Sequence, residues 1–230
     1  MPSRNGPDAD TGVFGTLNLE PATTMDRVAE ELRRALFEGE LEPGTPLREV
    51  ALADSLNVAR STVREALGVL VAEGLADRIA HKGTVVRELD RDAVVDVCRA
   101  RLVLESAGVR AWSAADPAAR TRVRRALEDF TRLAGSRASA VELTAAHLAI
   151  HHGIVALTGS PRLLGTAESL YAEIRLALAN VDRIRRNADE QVASHTRLVE
   201  LLESGDTDAT LTELADHLAG AQRSLLLSVE

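Results

Sequence analysis

GTPLREVALADSLNVARSTVREALGVLVAEGLADRIAHKGTVVREL, residues 44–89, holds two short amphipathic helices, a tight connection and a small basic hairpin. Its first apolar set (Leu47, Val50, Leu52, Ala53, Leu56) follows helical spacing and stops at Asn57-Val58-Ala59, long enough only for a turn. The second helix opens at Ser61-Thr62, hydroxyl residues suited to an N-cap, runs through Val63, Ala66, Leu67, Val69 and Leu70, and stops at Gly74. Residues 75–80 and 84–89 then read as two strands joined by His81-Lys82-Gly83. Helix, turn, helix and hairpin in that order make a winged helix-turn-helix. Arg60, Ser61, Thr62 and Arg64 lie at the N-terminal end of the second helix, where a recognition helix meets base edges and phosphates, and His81, Lys82 and Gly83 form the wing tip.

Working outward, the stretch from 23 to 38 is an amphipathic helix with Met25, Val28, Leu32, Ala35 and Leu36 on one face, suited to pack on the helix-turn-helix as its third helix. Residues 1–20 have no periodicity and read as a flexible arm. From Asp90 onward the strand signal disappears, and helices are expected over 90–114, 117–134, 139–158, 161–186, 189–204 and 207–228. Asp116-Pro117 and Ser160-Pro161 are N-cap and first-turn proline pairs, while Gly135, Gly159 and Gly205 mark ends. The expected fold is mainly α: an arm at 1–20, a winged helix-turn-helix DNA-binding domain at 21–89, and an all-α helical bundle at 90–230.

Composition narrows the function classes. The chain of 230 residues, 45% hydrophobic and 27% charged, is that of an ordinary globular protein with room for two modest domains. No apolar run approaches a membrane span, and the first 20 residues lack the apolar core of a signal peptide. The single cysteine, Cys98, has no internal partner, which suits a reducing cytoplasm. A net charge of −8 is unusual for a DNA binder, but residues 57–87 carry five basic against three acidic side chains, a local excess of +2. Phosphate contacts respond to that local field.

The N-terminal segment resembles the DNA-binding domain of the GntR family of bacterial transcription regulators. The resemblance rests on Gly39-Glu40-Leu41-Glu42-Pro43-Gly44, on Leu47-Arg48-Glu49-Val50-Ala51-Leu52-Ala53, and on Val58-Ala59-Arg60-Ser61-Thr62-Val63-Arg64-Glu65-Ala66-Leu67. Ala59 stands where the family usually has Ser, and Thr62 where it usually has Pro; both arginines are kept.

Histidines supply the second clue. His147 and His151, four apart on one helix, share a face; His195 and His217 fall on the last two helices. All four can point inward, where bundles build metal sites, or sit singly at the helix boundary. The region after Asp90 resembles the FCD ligand-binding domain of the FadR-like branch of the same family. The matching residues are Arg101-Leu102-Val103-Leu104-Glu105, His147 to Ile154, Gly159-Ser160-Pro161-Arg162-Leu163, Ser194-His195-Thr196-Arg197-Leu198, Gly205-Asp206 and His217-Leu218. In metal-containing members an Asp and three His bind one divalent ion, which implies that role for His151, His195 and His217, with His147 replacing the Asp. An all-imidazole set suits Zn, or Ni, better than Mg or Ca, and without a carboxylate it keeps the ion's full charge, favouring an anionic ligand.

Arg101 and Glu105 form either a surface i, i+4 pair or, as the resemblance implies, a pocket in which Arg101 grips a carboxylate beside the metal. Tyr171, Arg175 and Asn180 sit on a helix that can line the same cavity, core packing and surface exposure being the alternatives for the first two. His152 is turned away from His151, and His81 belongs to the wing. The expected protein is a dimeric, ligand-responsive repressor of a palindromic double-stranded DNA operator, modulated by a small carboxylate effector. A metal-free regulator of a larger apolar effector and a metal sensor are the alternatives. A hydrolase is disfavoured, since no H-E-x-x-H arrangement supplies a general base beside the histidines.

Overall fold

The computed structural model describes residues 23–185 and 188–227, excluding the side chains of 178–185. The arm expected over 1–20 lies outside the described residues. Helix α1 (Thr24–Phe37) begins in a capping box: the Thr23 hydroxyl accepts from the Asp26 amide, and the Asp26 carboxylate accepts from the Thr23 amide at 2.8 Å. Val28, Ala29, Leu32 and Leu36 are buried against Val63, Ala66, Leu67 and Leu70 of α3 (Arg60–Ala72).

Between them, α2 (Glu49–Leu56) ends at Asn57, whose left-handed backbone (φ 52°, ψ 50°) reverses the chain while the Val58 amide closes on the Ala53 carbonyl at 3.1 Å. Helix α3 therefore starts at Arg60, with Ala59 as an N-cap that offers no side-chain acceptor. Ser61 and Thr62 sit inside the first turn rather than capping it, because the left-handed Asn57 completes the turn within three residues. The apolar set read across α2 also divides. Leu47 is buried but precedes the helix, its amide bonded to Thr84, whereas Val50 is 51% exposed.

The wing is an antiparallel hairpin of β1 (Ala76–Ile79) and β2 (Gly83–Val86), in register from Ala76–Val86 to Ile79–Gly83. A bridge from Pro46 to Val85 ties it to the chain entering α2. Both strands are shorter than the apolar runs implied. Leu75 is taken up in closing α3, its amide bonding the Leu70 carbonyl.

The remainder is helical: α4 (Arg91–Ala111), a single 3-10 turn at Trp112–Ala114, α5 (Pro117–Ala134), α6 (Ala140–Ala156), α7 (Pro161–Arg185), α8 (Ala188–Ser204) and α9 (Thr207–Leu226). Asp90, Asp116, Ser139 and Asp206 each accept a backbone N–H as N-caps. Helix α4 lies against α6, α7 and α9, and α5 against α6 and α8, so the inner faces of α4, α6, α8 and α9 converge. Close approach is built in where α4 crosses α6: a Cβ at Gly108 would stand 1.9 Å from the Ile154 carbonyl oxygen. Helix α7 joins the two halves. Its Leu176 is buried in the N-terminal core, and its Glu173 pairs at 2.9 Å with Arg87, which also grips Asp77 of β1 at 2.7 Å.

Two glycine substitutions should therefore have opposite signs. Gly108→Ala must force α4 and α6 apart and is expected to destabilise by about 2–3 kcal/mol. Gly165→Ala, on α7 with open space around its Cβ, should stabilise by about 0.5–1 kcal/mol through helix propensity. Urea denaturation of both variants reads the difference.

Candidate functional site

Histidines from three helices meet in the bundle interior. His147 and His151 come from α6, His195 from α8 and His217 from α9, and one ring nitrogen of each lies within 4.8 Å of all the others. The His151 Nε2 stands 3.3, 3.1 and 3.3 Å from the Nε2 atoms of His147, His195 and His217. The outer nitrogens are mostly engaged. His151 Nδ1 faces a Glu105 carboxylate oxygen at 2.8 Å, His195 Nδ1 faces the Gln191 carbonyl at 2.6 Å, and His217 Nδ1 meets the Ser194 hydroxyl at 2.9 Å. A carboxylate and a carbonyl only accept, so His151 and His195 carry their protons on Nδ1 and direct Nε2 lone pairs at one another.

Protonation does not relieve that repulsion. Burial holds His147 and His151 well below the ordinary histidine range, with charged neighbours adding to it, and lowers His195 to about 4 and His217 to about 2. Neutral imidazoles with convergent lone pairs are the donor set of a cation. Bonds of about 2.1 Å at 90–109° separate ligand nitrogens by roughly 3.0–3.4 Å, which matches the three contacts of His151. The residues present fit a divalent ion, and the Glu105–His151 contact is the outer carboxylate that orients a ligating imidazole.

Arg101 and Glu105 are interior, 2% and 0% exposed, not a surface pair. Arg101 Nε donates to Glu105 Oε1 at 2.9 Å, and the Tyr171 hydroxyl donates to the same oxygen at 3.2 Å. Burial, the largest influence, would lower the Arg101 pKa, but Glu105 together with Tyr171 and Cys98 outweighs it and the guanidinium stays charged. Its Nη2 is buried without a hydrogen-bond partner. A cavity of about 400 Å³ is lined by Arg101, His147, His195 and His217, with Glu190 and Asp216 also on its wall.

Other expected residues lie apart. Neither Tyr171 nor Arg175 lines this cavity: both lie on a separate cleft, where the Arg175 Cζ stands 3.7 Å from the centre of the Phe37 ring of α1, because the α7 face they share is turned toward the N-terminal half. Asn180 lies outside the described side chains. His152 is exposed and pairs with Glu168 at 3.2 Å. Sequence reasoning missed Gln191, Ser194 and the Glu105–His151 contact. Gln191 contributes a backbone carbonyl that any residue four before a helical histidine would offer, and the 46-residue separation of Glu105 and His151 is not local, so neither contact left a signal in the sequence.

On the opposite half, Arg64, Arg48, Arg78 and the wing-tip residues His81, Lys82 and Gly83 line one concave face. Arg60, Ser61 and Arg64 are exposed, and Thr62 is partly so. Glu49 holds Arg64 in a bidentate pair, Nε to Oε1 3.0 Å and Nη2 to Oε2 2.7 Å, which aims the guanidinium. Arg64 first, then Arg60 and Arg78, keep Glu49 below the usual carboxylate range. The first-turn amides of α3 lack a side-chain cap and so remain available to a phosphate. His81 reaches the wing tip in a left-handed conformation (φ 64°). Among the described residues no helix is long and apolar enough to cross a membrane.

Residues 24–86 match the family described as bacterial regulatory proteins, gntR family, and residues 96–220 match the FCD domain. The Nta operon transcriptional regulator of Aminobacter aminovorans is 30% identical over 178 residues, 76% of this chain and 82% of the relative. The probable D-xylose utilization operon transcriptional repressor of Paenarthrobacter nicotinovorans is 29% identical over 203 residues, 87% and 88% of the two chains. A solved GntR structure from Rhodococcus sp. RHA1 superposes with a TM-score of 0.76 at 26% identity, covering 88% of this chain and 97% of that one.

The buried carboxylate has a stability consequence. Glu105→Ala removes the partner of an interior guanidinium and is expected to cost about 3–5 kcal/mol, whereas the paired replacement Arg101→Met/Glu105→Leu should recover the part due to the unpaired charge, the buried His151 and Tyr171 donors still lacking an acceptor. Urea unfolding in the presence of chelator measures both; equal losses in the two variants would assign the effect to packing instead.

Proposed function

The chain belongs to the gntR family of bacterial regulatory proteins, with an FCD domain following its helix-turn-helix, and is a FadR-like transcription regulator; from that membership we propose a dimeric repressor released by a small organic acid. Residues 21–89 read DNA and residues 90–230 sense the effector. Each winged half sets Arg60, Ser61, Thr62 and Arg64 in a major groove, while His81, Lys82 and Gly83 enter the neighbouring minor groove, two copies reading a palindrome. Arg48 and Arg78 flank them as phosphate contacts.

The observation that carries the effector reading is the unpartnered Nη2 of Arg101, a residue that lines one cavity with three of the four clustered histidines, His147, His195 and His217. A divalent ion held by His147, His151, His195 and His217, zinc or else nickel, would supply a positive anchor there. Arg101 meets the effector's carboxylate with its free Nη2, while Glu105 balances the Arg101 charge and orients both His151 and Tyr171. The convergent lone pairs favour this over a metal-free pocket for an apolar effector. Coupling to DNA is short in structural terms. Tyr171, bonded to Glu105, lies on α7 two residues before Glu173, which grips the Arg87 that braces the wing.

Elemental analysis of untagged protein purified without chelator should find about one zinc or nickel ion per chain, absent from His151→Ala/His195→Ala. No metal after zinc loading would remove the ion from the mechanism.

The DNA reading has its own check. Against a palindrome selected from random duplexes, Arg64→Ala should lose about 10–100-fold in affinity with an unchanged circular dichroism spectrum. Unaltered binding would show that α3 is not the reading helix.

A further inference from the structure

Between the two halves lies a second cavity, of about 540 Å³ and open on one side, that the histidine centre does not use. Its floor on the N-terminal side is Phe37 of α1 with Ala72 and Leu75 at the end of α3; facing it are Leu148 of α6 and Ala172 of α7. The walls are mostly apolar, and the volume is that of a small-molecule site. One charge inside is unmatched. Arg175 lies flat over Phe37, with its Nε buried and without a hydrogen-bond partner, and it forms no ion pair among the described residues. Burial lowers its pKa, with only a Coulombic contribution from Glu30 opposing.

The other charged groups of the cleft are already paired. Arg33 donates to both oxygens of Glu73, at 2.8 and 2.7 Å, and also binds Glu30 at 2.7 Å. Glu168 pairs with His152 at the solvent edge, its side chain 61% exposed. The interior therefore presents one guanidinium, stacked on an aromatic ring, with an apolar chamber beside it. A dianionic phosphate would need a second free cation, which the described residues of the cleft do not offer; a carboxylate needs only one planar fork.

We propose that this cleft is a binding site for an organic monocarboxylate with an apolar body, distinct from the histidine centre, in which Arg175 holds the carboxylate and Phe37, Leu75 and Leu148 enclose the chain. Any occupant touches α1 and α3 on one side and α6 and α7 on the other. It therefore acts on the joint between the reading and sensing halves. Tyr171 stands in the partition, lining this cleft while its hydroxyl bonds Glu105 behind the histidines.

Octanoate is a suitable probe, with octanol as its uncharged counterpart. Isothermal titration of the full chain should show saturable one-to-one binding of octanoate, at least tenfold weaker for octanol. Arg175→Met should weaken octanoate at least tenfold. So should Ala149→Trp, which fills the cleft from an exposed position and does not disturb the core. The His151→Ala/His195→Ala variant should bind octanoate as the unaltered chain does. The absence of saturable binding, its persistence in both cleft variants, or its loss in the histidine variant would each overturn the assignment; the last would place the carboxylate at the histidine centre.

Discussion

Glu105 is fully buried and accepts three hydrogen bonds, from Arg101 on its own helix, from His151 on α6 and from Tyr171 on α7. A carboxylate in that position is tolerable only while its partners stay where they are, since an isolated buried charge costs several kcal/mol. The constraint works in both directions. Three helices that share no local sequence are held at fixed separation by one side chain. The His151 ring cannot rotate without giving up a charge-assisted bond, and Tyr171 cannot leave without exposing the carboxylate. The lone pairs of His147, His195 and His217 converge on an imidazole whose orientation is thus decided from outside the cluster. Gly108 lets α4 come near enough for this, and its contact with the Ile154 backbone lies one turn from His151.

The two functional surfaces differ in how they are made. The face proposed to read DNA is exposed, built from nearby residues of α3, the hairpin and the start of α2, and its Arg64 is held by a surface pair with Glu49. Such pairs contribute little to stability and much to direction. The histidine centre is the reverse: largely buried, drawn from distant parts of the chain, and dependent on the packing of the whole bundle. Helix α7 links the two halves that carry them, through Tyr171 bonded to Glu105 on one side and through Glu173 on Arg87 and Leu176 in the N-terminal core on the other.

That difference explains what the sequence made legible. Helical periodicity, Gly74 and the His81–Gly83 turn announce the winged element because its geometry is local, and the i, i+4 spacing of His147 and His151 places both rings on one face without any tertiary information. Helix α3 takes its N-cap at Ala59, two residues before Ser61, since a left-handed Asn57 outweighs the capping preference of Ser61. Arg101 and Glu105 were visible as a pair, but not the third and fourth members of their network, 46 and 66 residues away from Glu105. Arg175 shows the limit most clearly. Its helical face follows from Tyr171, yet which neighbour that face meets depends on how α1 is seated, and nothing near residue 175 encodes that.

Leu176 carries a consequence for how the chain comes apart. A residue of the sensing half completes the core of the reading half, so the two are not separable beads on a string. Loosening α7 uncovers the floor beneath α1 and α3, and the winged element loses part of its own burial at the same moment. Unfolding free energy is thereby shared across the seam. Whatever tightens the bundle should also raise the protection of backbone amides in the winged half, far from the histidine centre.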